Sequence, residues 1–302
     1  MWQSGLFLVA IATLGMAMKG IFARFVYQHG VSVDALLVWR FALAVPMFWL
    51  GALWLNRHKP KAPLTARQWQ LCLLTGALFF LSAWCDFNAI HQLGASVSRI
   101  LLYLFPALLL VIHALQYRRM PPGLQVAVFA AAWVGMLLLL IPGWQGGAIG
   151  AAGIAFGLGA ATCYALFLWL SQGVMREIGS VRFNQVSNSF TLVLMALLLL
   201  PGTTAGELAL DLPALGWMLA LVLFSTALPY FLMLEGVHRA GASEAGIVAM
   251  FGPVLTVMMA VALFPDERLQ PLQWLGALLV LLGIGALTMA RPPGKAKTHR
   301  NA

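Results

Sequence analysis

The chain has 302 residues, of which 62% are apolar and only 9% are charged, and its mean hydropathy is +0.89. A soluble domain of this size carries about 25% charged residues, so this sequence holds too few polar side chains to cover a globule in water. The composition excludes a cytosolic enzyme, a secreted disulfide scaffold and a disordered protein. It predicts an integral membrane protein.

Basic residues outnumber acidic ones by 18 to 9, which gives a net charge of +9. They concentrate in short linkers between long apolar runs. This placement is typical of membrane proteins and argues against nucleic acid as a partner. The three cysteines, Cys72, Cys85 and Cys163, lie inside apolar runs and form no Cys-x-x-Cys pair, so neither a metal nor a cofactor is predicted.

In chain order, ten apolar segments come close to the roughly 20 residues that a membrane-spanning helix needs. They are continuously apolar and lack the alternation of membrane β-strands. The predicted fold class is therefore an all-α membrane protein with ten transmembrane helices. The predicted spans cover residues 6–26, 35–55, 69–90, 95–115, 123–141, 151–170, 183–200, 214–237, 242–264 and 272–290.

The distribution of Lys and Arg predicts the orientation of these helices. With the N-terminus in the cytoplasm, thirteen of the 18 basic residues fall in cytoplasmic linkers or in the C-terminal tail, and Arg268 alone falls in an outer linker. Because basic loops are retained on the cytoplasmic side, we expect a multi-pass protein of the cell inner membrane with both termini in the cytoplasm.

The second half of the chain repeats the first. Residues 91–108 and 238–255 share seven identities in eighteen positions, among them a Gly-Ala-Ser motif and a proline. Five spans in each half are an odd number, so the second half enters the membrane from the opposite side. We therefore predict a first five-helix repeat over 1–142, an inverted second repeat over 143–291 and a basic, disordered cytoplasmic tail over 292–302. Inverted repeats are a hallmark of secondary transporters.

The second repeat carries a motif pattern that resembles a known family. The pattern consists of Gly-Ala-Ser-Glu-Ala-Gly-Ile at 241–247, Pro253, Pro-Asp-Glu-Arg-Leu at 265–269, Gly276 and Leu-Gly-Ile-Gly at 282–285. It is similar to the EamA-type branch of the drug/metabolite transporter superfamily, whose members have ten helices. This resemblance implies a transporter that works by alternating access between its two halves, and it says little about the substrate.

Four ionisable residues within the spans, Lys19, Arg40, Asp86 and Arg99, fall at similar depth in the outer third of the membrane. Such residues are costly in a bilayer and are usually functional. We interpret them as an outer vestibule or gate, in which Asp86 pairs with one of the bases and the positive excess faces a carboxylate substrate. The structural alternative is that Arg40 and Arg99 extend to the outer headgroups, while Asp86 merely neutralises one of them.

Further candidates lie elsewhere in the spans. Glu235 falls near the cytoplasmic end of the eighth span, nearly equivalent to Asp86 in the first repeat, and is predicted to form an inner ionic gate. Pro106 and Pro253 fall near the midplane, where the loss of a helical hydrogen bond would bend each helix, so both are predicted hinges. Aromatic candidates for lining a substrate cavity are Trp84, Tyr103, Tyr164 and Tyr230.

The sequence holds no His-Glu-x-x-His, phosphate-binding loop or Gly-x-Ser-x-Gly motif. We therefore predict no enzyme, and transport must run on a gradient or by exchange. The favoured function is export of a small organic metabolite, an amino acid or related carboxylate, with protons taken up by Asp86 as the candidate coupling ion. The alternatives are efflux of a hydrophobic or cationic drug, a lipid or lipid-linked sugar flippase, and a non-transporting membrane subunit. The oligomeric state stays open.

Overall fold

A computed structural model describes the chain apart from residues 1, 56–62, 119–122, 141–149, 241–251, 253, 256–257, 260–269 and 290–302. Within this described part, all regular secondary structure is helical. The helices are α1 (Trp2–Ala17), α2 (Lys19–Tyr27), α3 (Val33–Leu55), α4 (Ala66–Leu102), α5 (Phe105–Tyr117), α6 (Gly123–Leu140), α7 (Ala151–Ile178), α8 (Ser180–Leu199), α9 (Ala205–Leu208), α10 (Leu212–Val222), α11 (Leu228–Ala240) and α12 (Pro271–Met289). A 3-10 turn (Leu200–Gly202) follows α8, and a π-helical turn (Leu223–Ala227) joins α10 to α11.

Six stretches of the described chain are long and apolar enough to cross a membrane. They are Gly5–Tyr27, Val33–Leu53, Ala66–Leu93, Ala151–Ile178, Val181–Gly202 and Leu212–Met233. Large apolar side chains such as Phe7, Leu50 and Leu197 are exposed on the outside of the bundle, whereas Arg40 and Asp86 are buried within it. This distribution is the reverse of that in a soluble protein, and it suits an outer surface that faces lipid.

The third and fourth predicted spans share one uninterrupted stretch of helical backbone, α4, which ends only at Leu102. In its first part α4 runs antiparallel to α7. The Ser82 hydroxyl donates to the Ala160 carbonyl at 3.1 Å, and further along α4 the Leu93 side chain packs on Gly153. Residue numbers therefore rise along α4 as they fall along α7.

The direction of the chain reverses between Leu93 and Leu101. Leu101 packs on Gly157, and later the Gln116 side chain accepts a hydrogen bond from the Trp169 indole at 2.9 Å, so this part runs parallel to α7. A straight helix would carry Leu101 about 12 Å beyond Leu93, past the start of α7, so the backbone must bend sharply. Two antiparallel segments arise, as the sequence predicts, but a bent helix joins them where a loop was expected.

Helix directions show that the two halves are inverted. α1 runs antiparallel to α11, because Gly15 lies beside Pro229 and Val9 beside Gly236, whereas α3 runs parallel to α11, because Arg40 meets Thr226 and Gly51 meets Phe231. α1 is therefore antiparallel to α3, and α3 runs antiparallel to α4. In that pair, Asp34 near the start of α3 accepts a hydrogen bond from the Trp84 indole, while the Phe41 and Phe79 ring centres are 5.9 Å apart. Because α4 is in turn antiparallel to α7, the first helix of the second half runs opposite to α1.

The helix packing follows the same symmetry. α4 packs on α7 and α1 packs on α11, so the third helix of each half meets the first helix of the other half. α3 packs on α8, and α6 packs on α12, so second helices meet each other and fifth helices meet each other. A two-fold axis in the membrane plane produces this pattern. Both halves therefore contribute to the interior of the bundle.

The bundle has two opposite faces. The N-terminal face holds the start of α1, the end of α3 and the start of α4, and the distal face holds the end of α2 and the starts of α3 and α10. Arg67 and Glu177 meet at the N-terminal face at 3.4 Å, and His29 and Asp211 meet at the distal face at 3.0 Å.

Regular α-helix is interrupted at two neighbouring places. Met18 separates α1 from α2, and the π-helical turn separates α10 from α11. The Ser225 hydroxyl in this turn donates to the Gly15 carbonyl at 2.7 Å and thereby joins the two interruptions. A π-turn within a helix is often found at a functional position.

Pro106, a predicted hinge, lies at the start of a helix and not in its middle. Pro106 lies in the first turn of α5, and Leu104 is the N-cap residue of this helix. A first-turn proline removes no helical hydrogen bond, because its N–H would have no acceptor there, so the predicted kink within a helix is wrong. Pro253 lies outside the described residues.

Candidate functional site

A partly buried ion pair lies in the distal half of the bundle. The Lys19 ammonium is 2.9 Å from the Asp86 carboxylate, and the two side chains are 21% and 6% exposed. Lys19 begins α2 directly after the interruption at Met18, and Asp86 lies within α4. Of the three bases considered for Asp86, the structure thus shows Lys19 in direct contact. Mutual pairing is the usual way in which charges are accommodated inside a membrane.

Arg40 is the second buried base of this region, and at 8% exposure it does not extend to the headgroups. Its Nε donates to the Thr226 hydroxyl at 3.0 Å, and its guanidinium carbon lies 5.7 Å from the centre of the Phe87 ring. The Lys19 ammonium lies 5.2 Å from the same ring, which attracts both cations. We refer to Lys19, Arg40, Asp86, Phe87 and Thr226 as the charged cluster. Because Thr226 belongs to the π-helical turn, the cluster joins both halves of the chain.

The described side chains around this cluster do not carry the positive excess that the sequence suggests. Asp34, in the first turn of α3, accepts a hydrogen bond from the Trp84 indole at 3.1 Å. Asp34, Asp86 and Arg40 all lie close enough to the buried Tyr27 phenol to act on it electrostatically. Two acids therefore accompany the two bases among the described residues.

Of the other two predicted charged residues, Glu235 lies apart from this cluster. Arg99 belongs to α4, and its side chain is outside the described part of the structure. Glu235 is half-exposed near the N-terminal face, where it is 2.6 Å from Arg239 on the next turn of α11. A pair of this kind stabilises one helix and bridges no second one. The described residues therefore show no interhelical gate at Glu235.

Two of the predicted aromatic residues occupy different places in the interior. The Tyr103 hydroxyl lies against Gly252, at 3.2 Å from where a methyl group on that glycine would be. Tyr164 is half-buried on α7, and its ring centre lies 4.9 Å from that of Phe105 and 6.1 Å from that of Phe167. The interior also holds a second polar group.

This second group lies on α8, in the N-terminal half of the bundle, and sequence reasoning missed it. Asn184, Gln185 and Asn188 are all buried. The Tyr230 phenol of α11 donates to the Asn184 side-chain oxygen, and Asn188 donates through Nδ2 to the Asn184 main-chain carbonyl at 2.8 Å. The side-chain nitrogens of Asn184 and Gln185 are buried and have no hydrogen-bond partner within the part of the chain that the structure describes. We refer to Asn184, Gln185, Asn188 and Tyr230 as the amide cluster.

The sequence does contain a signal for the amide cluster. Five uncharged polar residues occur within six positions near the start of the predicted span 183–200: Asn184, Gln185, Ser187, Asn188 and Ser189. A search for ionisable residues passes over them, although uncharged polar side chains inside a membrane also need partners.

Close packing fixes α8 against α4 beside the amide cluster. The Thr75 and Ser187 hydroxyls are 3.2 Å apart, and the Thr191 hydroxyl donates to the Gly76 carbonyl at 3.0 Å. A methyl group on Gly76 would lie 2.7 Å from the Ser187 carbonyl oxygen, so the two backbones are in direct contact. Small residues and hydroxyl bonds are the usual means of joining membrane helices.

Asp211 at the distal face lies outside the spans and caps α10. Its carboxylate accepts the Ala214 N–H at 2.8 Å and lies 3.0 Å from the His29 ring. The backbone hydrogen bond from Ala214, aided by His29, holds the pKa of Asp211 below its usual value. Within the described residues, no three His, Cys, Asp or Glu side chains lie together as a metal site would need.

The fold and its buried polar groups are those of a helical membrane transporter with two repeats. The sequence pattern of the EamA-like transporter family matches residues 3–141 and again residues 151–289. The chain belongs to this family, and it is a transporter and not an enzyme.

Curated relatives support the assignment. The chain is 33% identical over 281 residues to the uncharacterized transporter YcbK of Bacillus subtilis strain 168, a match that covers 90% of this chain and 89% of that protein. It is 26% identical over 261 residues to the uncharacterized transporter sll1319 of Synechocystis strain PCC 6803, covering 83% and 78%. A solved crystal structure with 14% identity has a TM-score of 0.70 and covers 96% of this chain and 98% of its own, which shows the fold alone.

Proposed function

We propose that the protein is a secondary active transporter that exports an amino acid, or a closely related zwitterionic metabolite, by alternating access between its two repeats. The observation that supports this proposal is the charged cluster together with Asp34, where two acids accompany two bases among the described residues. The transport class follows from the family, and the substrate class is inferred from this balance.

A zwitterion can exchange partners with a buried ion pair. In the empty carrier, Lys19 and Asp86 satisfy each other. When an amino acid enters, its carboxylate can bind Lys19 or Arg40 and its ammonium group can bind Asp86, so each charge has a partner in both states. A substrate with one charge leaves one member of the pair unmatched, at a cost that disfavours the loaded state.

The charged cluster lies where the two halves are joined. Arg40 of the first half binds Thr226 of the second half, and Ser225 of the same π-turn binds the Gly15 carbonyl near the interruption at Met18. A substrate that takes over the Arg40 contact would loosen the π-turn from α3. This link supports a coupling of substrate binding to movement of the repeats.

Asp86 is the proposed proton-coupling residue. It is the acid of the ion pair in the distal half, and the distribution of basic linkers supports a distal face outside the cell. Protonation from outside would release Lys19 and change the charge of the empty carrier before it returns. The proposed location is the cell inner membrane, with both termini in the cytoplasm.

Counterflow in proteoliposomes tests the substrate class. Vesicles are loaded in turn with each standard amino acid, and uptake of the same labelled amino acid is measured. We expect exchange of at least one of them, and Lys19→Gln should lower it about 10–100-fold, as the loss of a charge-assisted hydrogen bond predicts. Arg24→Gln is the matched control, since it makes the same charge change at an exposed position of α2. Folded parent protein that exchanges no amino acid would contradict the assignment.

One observation favours a second candidate function, the transport of a hydrophobic or lipid-like molecule. An apolar groove of about 290 Å³ lies between α1 and α11, next to the π-turn. Its lining includes Ile11, Leu14, Phe224 and Leu228, which are exposed on the outside of the bundle. Transport of a hydrophobic cation that Lys19→Gln leaves unchanged would favour this candidate over the first.

A further inference from the structure

Two donors of the amide cluster have no acceptor among the described residues. They are Asn184 Nδ2 and Gln185 Nε2, both buried, in residues that are 4% and 3% exposed. Bulk water is absent from the membrane interior, and a buried donor that stays unpaired destabilises the fold. An apolar side chain at either position would avoid this cost. Folding alone therefore does not account for two carboxamides at this place.

The polar atoms that surround these donors are already engaged with each other. The Asn184 side-chain oxygen accepts from Tyr230, and the Gln185 main-chain carbonyl accepts from the Ser189 hydroxyl at 2.7 Å. The Ser189 hydroxyl in turn accepts from the Trp49 indole at 3.0 Å. The unsatisfied side-chain atoms of Asn184 and Gln185 are thus both donors, and a ligand that pairs with them must offer acceptors.

The amide cluster lies where α3, α8 and α11 meet. The Phe48 ring of α3 is 5.1 Å from the Tyr230 ring of α11, and α3 and α11 belong to different halves. Along α3, Phe48 follows Arg40 of the charged cluster and precedes the end of the helix at the N-terminal face. The cluster is therefore placed between the N-terminal face and the charged cluster, on the side from which an exported molecule would enter.

We propose that the amide cluster is a second subsite, which binds the carboxylate of the transported molecule through the open N–H groups of Asn184 and Gln185. A carboxylate has two acceptor oxygens and no donor, which complements two open donors. Neutral donors hold a carboxylate less tightly than Lys or Arg does, so the ligand can move on to the charged cluster. This inference rests on the proposed transport function and deepens it.

Thermal unfolding of the purified full-length protein tests the subsite, because a ligand that binds the folded state raises Tm. The variant is Gln185→Met, which keeps the length of the side chain and removes the open donor. Its Tm without ligand should equal or exceed that of the parent, since one unsatisfied group is gone. Its affinity for carboxylates, taken from the dependence of Tm on ligand concentration, should fall about tenfold.

Ser187→Ala is the matched control. Ser187 is buried on the same helix, but its hydroxyl is bonded to Thr75. This variant should unfold at a lower temperature than the parent and keep the full affinity for carboxylates. Gln185→Met is therefore expected to weaken binding without loss of stability, and Ser187→Ala to lose stability without weakening binding, which separates a subsite from a structural role.

The probes are the standard amino acids, a set of carboxylic acids without an amino group, and amines without a carboxylate. If only the acids without an amino group stabilise the parent, and if they bind Gln185→Met more weakly, the subsite is supported and the zwitterion proposal is wrong. If amines alone stabilise the parent, both fall. Equal affinity of acids for the parent and for Gln185→Met overturns the subsite and leaves the zwitterion proposal intact.

Discussion

The charged cluster and the amide cluster accommodate polar groups in the membrane in opposite ways. Lys19 and Asp86 neutralise each other, and Arg40 is held by Thr226. The amide cluster is uncharged, and two of its buried donors stay open. The difference follows from energy, because one unpaired buried charge costs about 3–5 kcal/mol and one unpaired amide donor roughly 1–3 kcal/mol. An empty carrier can therefore leave an amide open for its ligand, but it must pair its charges.

Removal of the Asp86 charge is expected to have the largest effect on stability and transport. Asp86→Asn leaves the Lys19 ammonium without its carboxylate, and we expect the free energy of unfolding to fall by about 3 kcal/mol. Proton-driven accumulation should disappear, while exchange persists in part, because a neutral side chain mimics one protonation state of Asp86. Thermal unfolding measures the loss of stability, uptake under an imposed pH gradient measures proton-driven accumulation, and counterflow measures exchange. A variant with the stability and the pH-dependent transport of the parent would show that Asp86 has neither role.

A methyl group between α4 and α8 should disturb the amide cluster and leave the charged cluster intact. Gly76→Ala places a carbon 2.7 Å from the Ser187 carbonyl oxygen, and such overpacking costs about 1–3 kcal/mol. We expect a lower Tm together with weaker carboxylate binding. Gly216→Ala is the control, because a methyl group there meets no atom within 4 Å. Unchanged Tm in Gly76→Ala would mean that the two helices are not in such close contact.

The smallest effect should come from Asp211, which lies outside both clusters. Its pKa is lower in the folded protein than in the unfolded chain, so its stabilising contribution is present above the unfolded value and is lost as the pH falls through the folded one. Asp211→Asn keeps a side chain that can cap α10 and removes this titration. The Tm difference between parent and variant should therefore shrink from pH 7 to pH 3. A difference independent of pH would exclude a role of the charge.

The helices could largely be predicted from the sequence, and the turns between them could not. The predicted span 183–200 corresponds to α8, Ser180–Leu199, because a long apolar run has few alternatives in a bilayer. The expected loop near residue 91 is instead helical through to Leu102. Polar residues there lower the local hydropathy, but they do not prevent helical hydrogen bonds. The π-turn could not be predicted either, because the amino-acid composition of a helix does not indicate its hydrogen-bond register.

The same contrast holds for the candidate site. Lys19 and Asp86 could be found because ionisable residues are rare in apolar spans. Their similar depth in the membrane allowed the sequence to predict that they form a pair. Asp34 was missed because it lies at the start of a helix, where an acid is ordinary. The open donors of Asn184 and Gln185 depend on which atoms their neighbours already use. Only the packed structure shows that.

In the proposed function, the Lys19–Asp86 pair is needed to bind the substrate and is not needed for folding. The double variant Lys19→Met with Asp86→Leu tests it most directly, because replacing a buried ion pair by apolar side chains of similar volume is often neutral for stability. We expect a folded protein with a Tm close to that of the parent and amino acid counterflow reduced at least about 100-fold, corresponding to about 2.7 kcal/mol. A stable double variant that exchanges amino acids at the parental rate would contradict the account.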